Sequence, residues 1–235
     1  ADAGLMFVAT GAIGGGIANM EFLQAETTQS SAGTTTWTFT NANIGAASGD
    51  RYVVVCIGLS VSSPAAGTCA LSTVSIGGTN GTIHANANNG VALSYFLISG
   101  IAGRLVTSGT TATIVVTTTG PNMTRCFCRV YTLRRARSTT PTATETATAN
   151  NASSVSDTIN IPASGALLVQ CIASTMTGSH TMAGVTENSD INSGNVVSST
   201  GHLDGLGVET PRAYSVTEAG SANTPEWAMA GVVWH

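Results

Sequence analysis

Lysine is missing from the whole 235-residue chain, and all eight basic side chains are arginines, at positions 51, 104, 125, 129, 134, 135, 137 and 212. Without lysine there is no P-loop phosphate clamp, no Schiff base and no lysine general base. Charge of either sign is scarce, at 9% of residues against roughly 25% in an ordinary soluble domain. A net charge of -4 offers no general attraction to nucleic acid or to an anionic membrane, so no nucleic-acid partner is expected. No apolar run nears the roughly 20 residues that cross a bilayer, so no membrane span is expected and the chain reads as soluble. Residues 1–8 lack the basic start of a secretory signal, which is expected to be absent or already removed, and Ala1 suits simple loss of an initiator Met.

The cysteines, Cys56, Cys69, Cys126, Cys128 and Cys171, are odd in number and contain no Cys-x-x-Cys pair. Cys126 and Cys128 lie two apart in an apparent strand and so face the same side, which disfavours a bridge between them. Small buried thiols are the expected state.

What fills the chain instead is Thr, Ser, Asn, Gly and Val, a composition for short strands and tight turns. Residues 1–35 read as an N-terminal extension or edge segment, apolar and Gly-rich at first and polar by Thr27, which needs a partner or a sheet edge to become ordered. Trp37 and Phe39 then alternate with threonines, and Tyr52 to Ile57 is an apolar run bounded by turn residues, as in a buried central strand. Further strands are expected at 74–76, 91–98, 112–118 and 125–133, punctuated by Gly81, Gly90, Gly100, Gly109 and Gly120 at the spacing of a sandwich or barrel. Residues 138–156 carry almost no large apolar side chain and read as a linker or loop.

Beyond it the pattern returns. Leu167-Leu168-Val169-Gln170-Cys171-Ile172, after a turn with Ala163-Ser164-Gly165, echoes Val53-Val54-Val55-Cys56-Ile57 after Ala47-Ser48-Gly49. Residues 213–217 and 227–234 likewise echo 112–118 and 125–133. The expected fold is therefore all-β, an antiparallel, jelly-roll-like sandwich of two pseudo-repeated halves, 36–137 and 157–235, packed as one sandwich.

Few motifs invite chemistry. The turn Thr10-Gly11-Ala12-Ile13-Gly14-Gly15-Gly16-Ile17 is similar to that of short-chain dehydrogenases, but Ile17 stands where that pattern wants glycine and the later Tyr and Lys pair is impossible. There is no Gly-x-Ser-x-Gly elbow, and His84, His180, His202 and His235 sit in Gly, Asn and Ser-rich contexts, expected as solvated loops. Glu187 to Gly194 places oxygen side chains at alternate positions, but its glycine comes late for a calcium loop and a polar turn is expected. No catalytic residue, cofactor or metal ligand is assigned. The one concentration of charge is Arg125, Arg129, Arg134, Arg135 and Arg137, either an interface for a subunit or an acidic ligand, or a solvated edge that discourages strand pairing.

The stretch Trp37-Thr38-Phe39-Thr40-Asn41-Ala42-Asn43-Ile44-Gly45-Ala46-Ala47-Ser48-Gly49-Asp50-Arg51-Tyr52-Val53-Val54-Val55 resembles a segment of structural proteins of tailed bacteriophages, and Thr73-Val74-Ser75-Ile76-Gly77-Gly78 and Thr111-Ala112-Thr113-Ile114-Val115-Val116 look like the next strands of the same family. The resemblance covers about residues 36–133. It implies a tail, fibre, collar or head-decoration protein, assembled in the host cytoplasm and resident in the virion, with copies of itself, other virion proteins and a host-surface glycan as partners. The rival class is a secreted carbohydrate-binding or adhesin β-sandwich, in which Trp37, Tyr52, Tyr95, Tyr131, Trp227 and Trp234 would stack on sugar, although aromatics at strand positions more often belong to the core.

Overall fold

A computed structural model describes residues 17–62, 69–90, 95–174, 178–219 and 225–235, apart from the side chains of 29–31. The glycine-rich turn at 10–17 lies outside them except for Ile17, as do residues 91–94 of the strand expected at 91–98. The described residues form seventeen strands and no helix. In the first half these are β1 (Asn19–Thr34), β2 (Thr36–Asn43), β3 (Tyr52–Ser62), β4 (Ala70–Ile76), β5 (Thr79–Asn80), β6 (Thr82–Asn88), β7 (Tyr95–Leu105), β8 (Thr111–Thr119) and β9 (Met123–Arg134). The second half comprises β10 (Ala143–Ala149), β11 (Ser154–Ile161), β12 (Gly165–Ser174), β13 (Ser179–Ala183), β14 (Thr186–Asn192), β15 (Val196–Leu206), β16 (Glu209–Ala219) and β17 (Trp227–Trp234).

The sheets expose the repeat directly. In the first half the large sheet runs β1-β9-β3-β7-β6 and faces a small sheet β2-β8-β4-β5; in the second, β10-β17-β12-β15-β14 faces β11-β16-β13. Strand for strand the orders correspond, and only β5 has no counterpart. All pairings are antiparallel.

The expectation of a single sandwich is corrected here, because each half has strands enough to close its own. Trp37, Phe39, Val55, Ile57, Val74, Ile114 and Val130 fill the space between the first pair of sheets, and Val155, Val169, Met182, Tyr214, Val216 and Trp227 that between the second. The large sheets then pack back to back through Tyr52, Val54, Tyr131, Leu133, Leu168, Val232 and Trp234, with Leu97, Phe127, Ile172 and Val196 further along. The molecule is thus four sheets deep, and β3, β7, β12 and β17 are apolar on both faces because both faces are covered. Each such strand loses a continuous apolar surface to the interior, at about 25 cal/mol per Å² removed from water.

Several segments differ from the sequence reading. Residues 138–156, expected as a linker, contain β10 and the start of β11; β10 alternates normally, but its inward residues are Ala143, Ala147 and Ala149, too small to register as an apolar face. The histidines are also misplaced as loops: His84, His180 and His202 lie on β6, β13 and β15, where the polar partners described below replace water.

Candidate functional site

The arginine strand β9 alternates as expected. Cys126, Cys128 and Val130 point into the first sandwich, while Phe127, Arg129 and Tyr131 point across the seam toward the second half. There the five arginines part company. Arg129 is fully buried and spent inside the chain: its guanidinium donates to Ser198 Oγ at 2.6 Å, to the Ser198 carbonyl oxygen and to Ser189 Oγ at 3.4 Å, and it lies 5.4 Å from the Phe127 ring centroid. It is no contact for another subunit or ligand, because no solvent reaches it. Burial holds its pKa down to about 10, the mark of a charge that gives up water for neutral partners. Arg125, on the same face, packs half-buried against the turn at Gly194. Arg134 donates to the Ala46 carbonyl at 2.7 Å. Arg135 and Arg137 are exposed past the end of β9, with the Arg135 amide bonded to Asp50 and the Arg137 amide to the His235 carbonyl. The five form no single patch.

Around Arg129 the seam is polar at its centre. Gln170 Nε2 reaches Ser198 Oγ at 2.9 Å, Ser198 donates to the Cys171 carbonyl at 3.1 Å, and Ser99 donates to the Gln170 carbonyl at 2.8 Å. Tyr131 donates to Thr200 Oγ1 at 2.7 Å, and Asn188 Oδ1 bonds His202 Nδ1 at 2.6 Å. Both Asn188 and Ser189 face the seam because β14 carries a bulge between Glu187 and Ser189. No residue pattern warns of this, since Ser198, Ser189 and Asn188 look like turn residues until β14 and β15 are paired.

One pair has the composition of a nucleophile and base: Ser199 Oγ lies 2.6 Å from His180 Nδ1. Ser199 is completely buried and His180 is 4% exposed, with its ring 5.0 Å from that of Trp227. Burial lowers the His180 pKa to about 3, so the imidazole is neutral and its neighbour is a core hydroxyl. His84 is similar, bonded through Nε2 to Tyr52 Oη at 2.8 Å and pushed down to about 4 by burial. Among the described residues no group of His, Cys, Asp and Glu could hold a metal ion, and no helix is long and apolar enough to cross a membrane.

The carboxylates have a shared task that sequence reasoning missed. Among the described residues, five accept hydrogen bonds from backbone amides of other segments: Asp204 from Met20 at 2.7 Å, Glu226 from Tyr95 at 2.8 Å, Asp190 from His180 at 2.9 Å, Glu187 from Met182 at 3.2 Å and Asp50 from Arg135 at 3.2 Å. Among the described residues the one ion pair is Arg212 with Glu209. Residues 187–194, expected as a polar turn, are mostly strand β14, with two of these carboxylates on it.

Outward, both small sheets present hydroxyls. Thr36, Thr38, Thr113 and Thr117 line one outer face, and Ser154, Ser156, Thr158, Thr181 and Thr217 the other, in matching cross-strand rows such as Thr36-Thr117-Thr73 and Ser154-Thr217-Thr181. Five of the six aromatics weighed as sugar platforms, Trp37, Tyr52, Tyr131, Trp227 and Trp234, are buried, and only Tyr95 is partly exposed. All five cysteines are buried free thiols. Compared with family models, with curated proteins and with solved structures, the chain finds no match in any of the three.

Proposed function

We propose that this chain is a structural protein of a bacteriophage particle, in a tail, fibre, collar or head decoration, that works by packing against copies of itself and against other particle proteins. The observation that carries this reading is the character of the two outer faces. They are hydroxyl-bearing sheets almost without charge, at opposite ends of one welded four-sheet body. Small neutral side chains lose little rotamer freedom on packing and leave no charge to be stripped of water. Supporting it is the strand order: we read β1-β9-β3-β7 facing β2-β8-β4-β5 as jelly-roll-like, an architecture used in viral capsid and lectin domains, and β10-β17-β12-β15 facing β11-β16-β13 repeats that order with one strand fewer. Arg135 and Arg137 remain on the surface as contacts for an acidic neighbour or a host-surface group.

Mass spectrometry of purified particles tests this reading, with the chain expected at a fixed high copy number. Its absence from particles, together with a monomeric mass and specific binding on a glycan array, would replace it with a secreted carbohydrate-binding sandwich. That second reading shares the architecture but has to do without the five buried aromatics.

A further inference from the structure

The two halves differ at one edge. In the first, the outer edge of β4 is covered by β5, through Ser75 opposite Asn80 and Ile76 opposite Thr79, and the Gly81 amide donates to the Val74 carbonyl at 2.8 Å. In the second, the chain runs from β13 through Gly184 and Val185 straight into β14, and among the described residues no strand covers the equivalent edge of β13. Side chains of β14 fill it instead. Asp190 takes the His180 amide, Glu187 takes the Met182 amide, and Asn192 Nδ2 donates to the Gly178 carbonyl at 3.2 Å. These are residues 178, 180 and 182, the period-two set whose backbone groups point out of an edge strand and that a further strand would pair.

We propose that the β13 edge is a strand-docking site for the β13 strand of a second copy of this chain, with Glu187 and Asp190 as displaceable occupants of its amides in the separate molecule. A second copy is the fitting occupant because the equivalent edge of the first half pairs with a strand, the two-residue β5, and because an antiparallel β13 pair would be self-complementary and close into a two-fold dimer. The outward side chains of β13, Ser179, Thr181 and Ala183, are small and exposed, so neither steric bulk nor charge opposes the approach. The proposal rests on the packing role above and names the surface that would serve it.

The test uses the full chain. Removing both occupants in the Glu187→Ala, Asp190→Ala double variant bares two amides, and self-association followed by light scattering should tighten about tenfold or more, since each lost bond to a charged group is worth more than 1 kcal/mol. A Thr181→Cys reporter in that background should form an interchain disulfide several-fold faster than a Thr158→Cys reporter, which sits on the same outer face but on β11, at the opposite edge of the sheet; the native thiols are buried and do not compete. If the double variant fails to fold, Glu187→Ala alone, at an exposed position, gives the same two readouts with Asp190 in place. A variant that folds and stays as monomeric as the parent overturns the proposal, and so does association with no preference for position 181 over 158. Because the isolated chain is measured, such a failure is separable from absence of the protein from particles.

Discussion

Arg129 offers the sharpest test of what holds the halves together. Its guanidinium is buried in the seam against Ser198 and Ser189 with no bonded carboxylate, so its bonds stabilise while its charge costs. Arg129→Ala leaves the Ser198 carbonyl without this partner, worth about 1–3 kcal/mol, and opens a void of the kind that costs about 2–5 kcal/mol in large-to-Ala changes. The two overlap, and the expected loss is about 4 kcal/mol, a large part of a stability on the order of 5–15 kcal/mol. Arg129→Met is a different perturbation. It keeps most of the volume and removes the charge, whose burial, read from a pKa held at about 10 against 12.5, costs about 3 kcal/mol. That relief offsets the lost hydrogen bonds at about 1 kcal/mol each, so the Met variant should fall within about 1.5 kcal/mol of the parent, as hydrophobic replacements of buried charges often do. Urea unfolding followed by the fluorescence of the buried Trp227 and Trp234 measures both. If Met is as damaging as Ala, the seam needs the guanidinium itself; if Ala costs less than about 1 kcal/mol, the halves are not coupled through this residue.

Acid should weaken the fold before ordinary carboxylates titrate. Folded His180 and His84 are held near 3 and 4 against 6.5 in the unfolded chain, so the unfolded state takes up protons first. Stability is whole above about pH 6.5 and falls toward pH 3, by at most about 5 kcal/mol from His180; urea midpoints at pH 7 and 4.5 should differ, and a His180→Leu variant should lose about half of that difference, the rest belonging to His84. Gly58 faces the seam, where an added Cβ would lie 2.6 Å from Ser198 Oγ and 3.3 Å from Ile172 Cδ1, so Gly58→Ala should cost about 1–3 kcal/mol in the same titration. Finally, no native cysteine should react with a thiol reagent until denaturant is added, because all five are buried and burial raises each thiol pKa; fast labelling of any one at neutral pH would contradict the packing around it.

The strand grammar was readable because it is local. Val53 to Ile57 and Leu167 to Ile172 announce strands covered on both faces, and the echo between them survives as matching sheet orders. What escaped was non-local. β10 hid because alanine marks an inward face too faintly, and the histidines hid because a polar residue in a Ser-rich segment looks solvated until its partner strand supplies Ser199 or Tyr52. The arginine group was legible as charge but not as location: positions four apart on one strand face share a side, yet Arg129 is sealed by the second half while Arg135 and Arg137 lie beyond the strand end. No pattern within a single strand marks Asp190 or Glu187 as caps for amides on β13, since the pairing of β14 with β15 decides which side chains face that way.

A chain with so few charges has to settle the backbone groups at its sheet ends and edges without lysine and with little charge to spare. It uses charged groups one at a time against backbone. Arg51 shows the same economy as the carboxylates, donating to the carbonyls of Val106 at 2.8 Å, Gly45 at 2.5 Å, Gly109 at 2.9 Å and Ser108 at 2.7 Å, so that one buried side chain ties two loops at the end of the first sandwich. Each such bond joins an ion to a neutral dipole and is worth more than a neutral pair, without the geometric demands of an ion pair. Charges spent this way are drawn inward or to the edges, and the outer faces are left to threonine and serine. The neutrality of those faces therefore follows from how the edges are closed, and a surface made neutral in that manner is suited to meeting another protein surface at small desolvation cost.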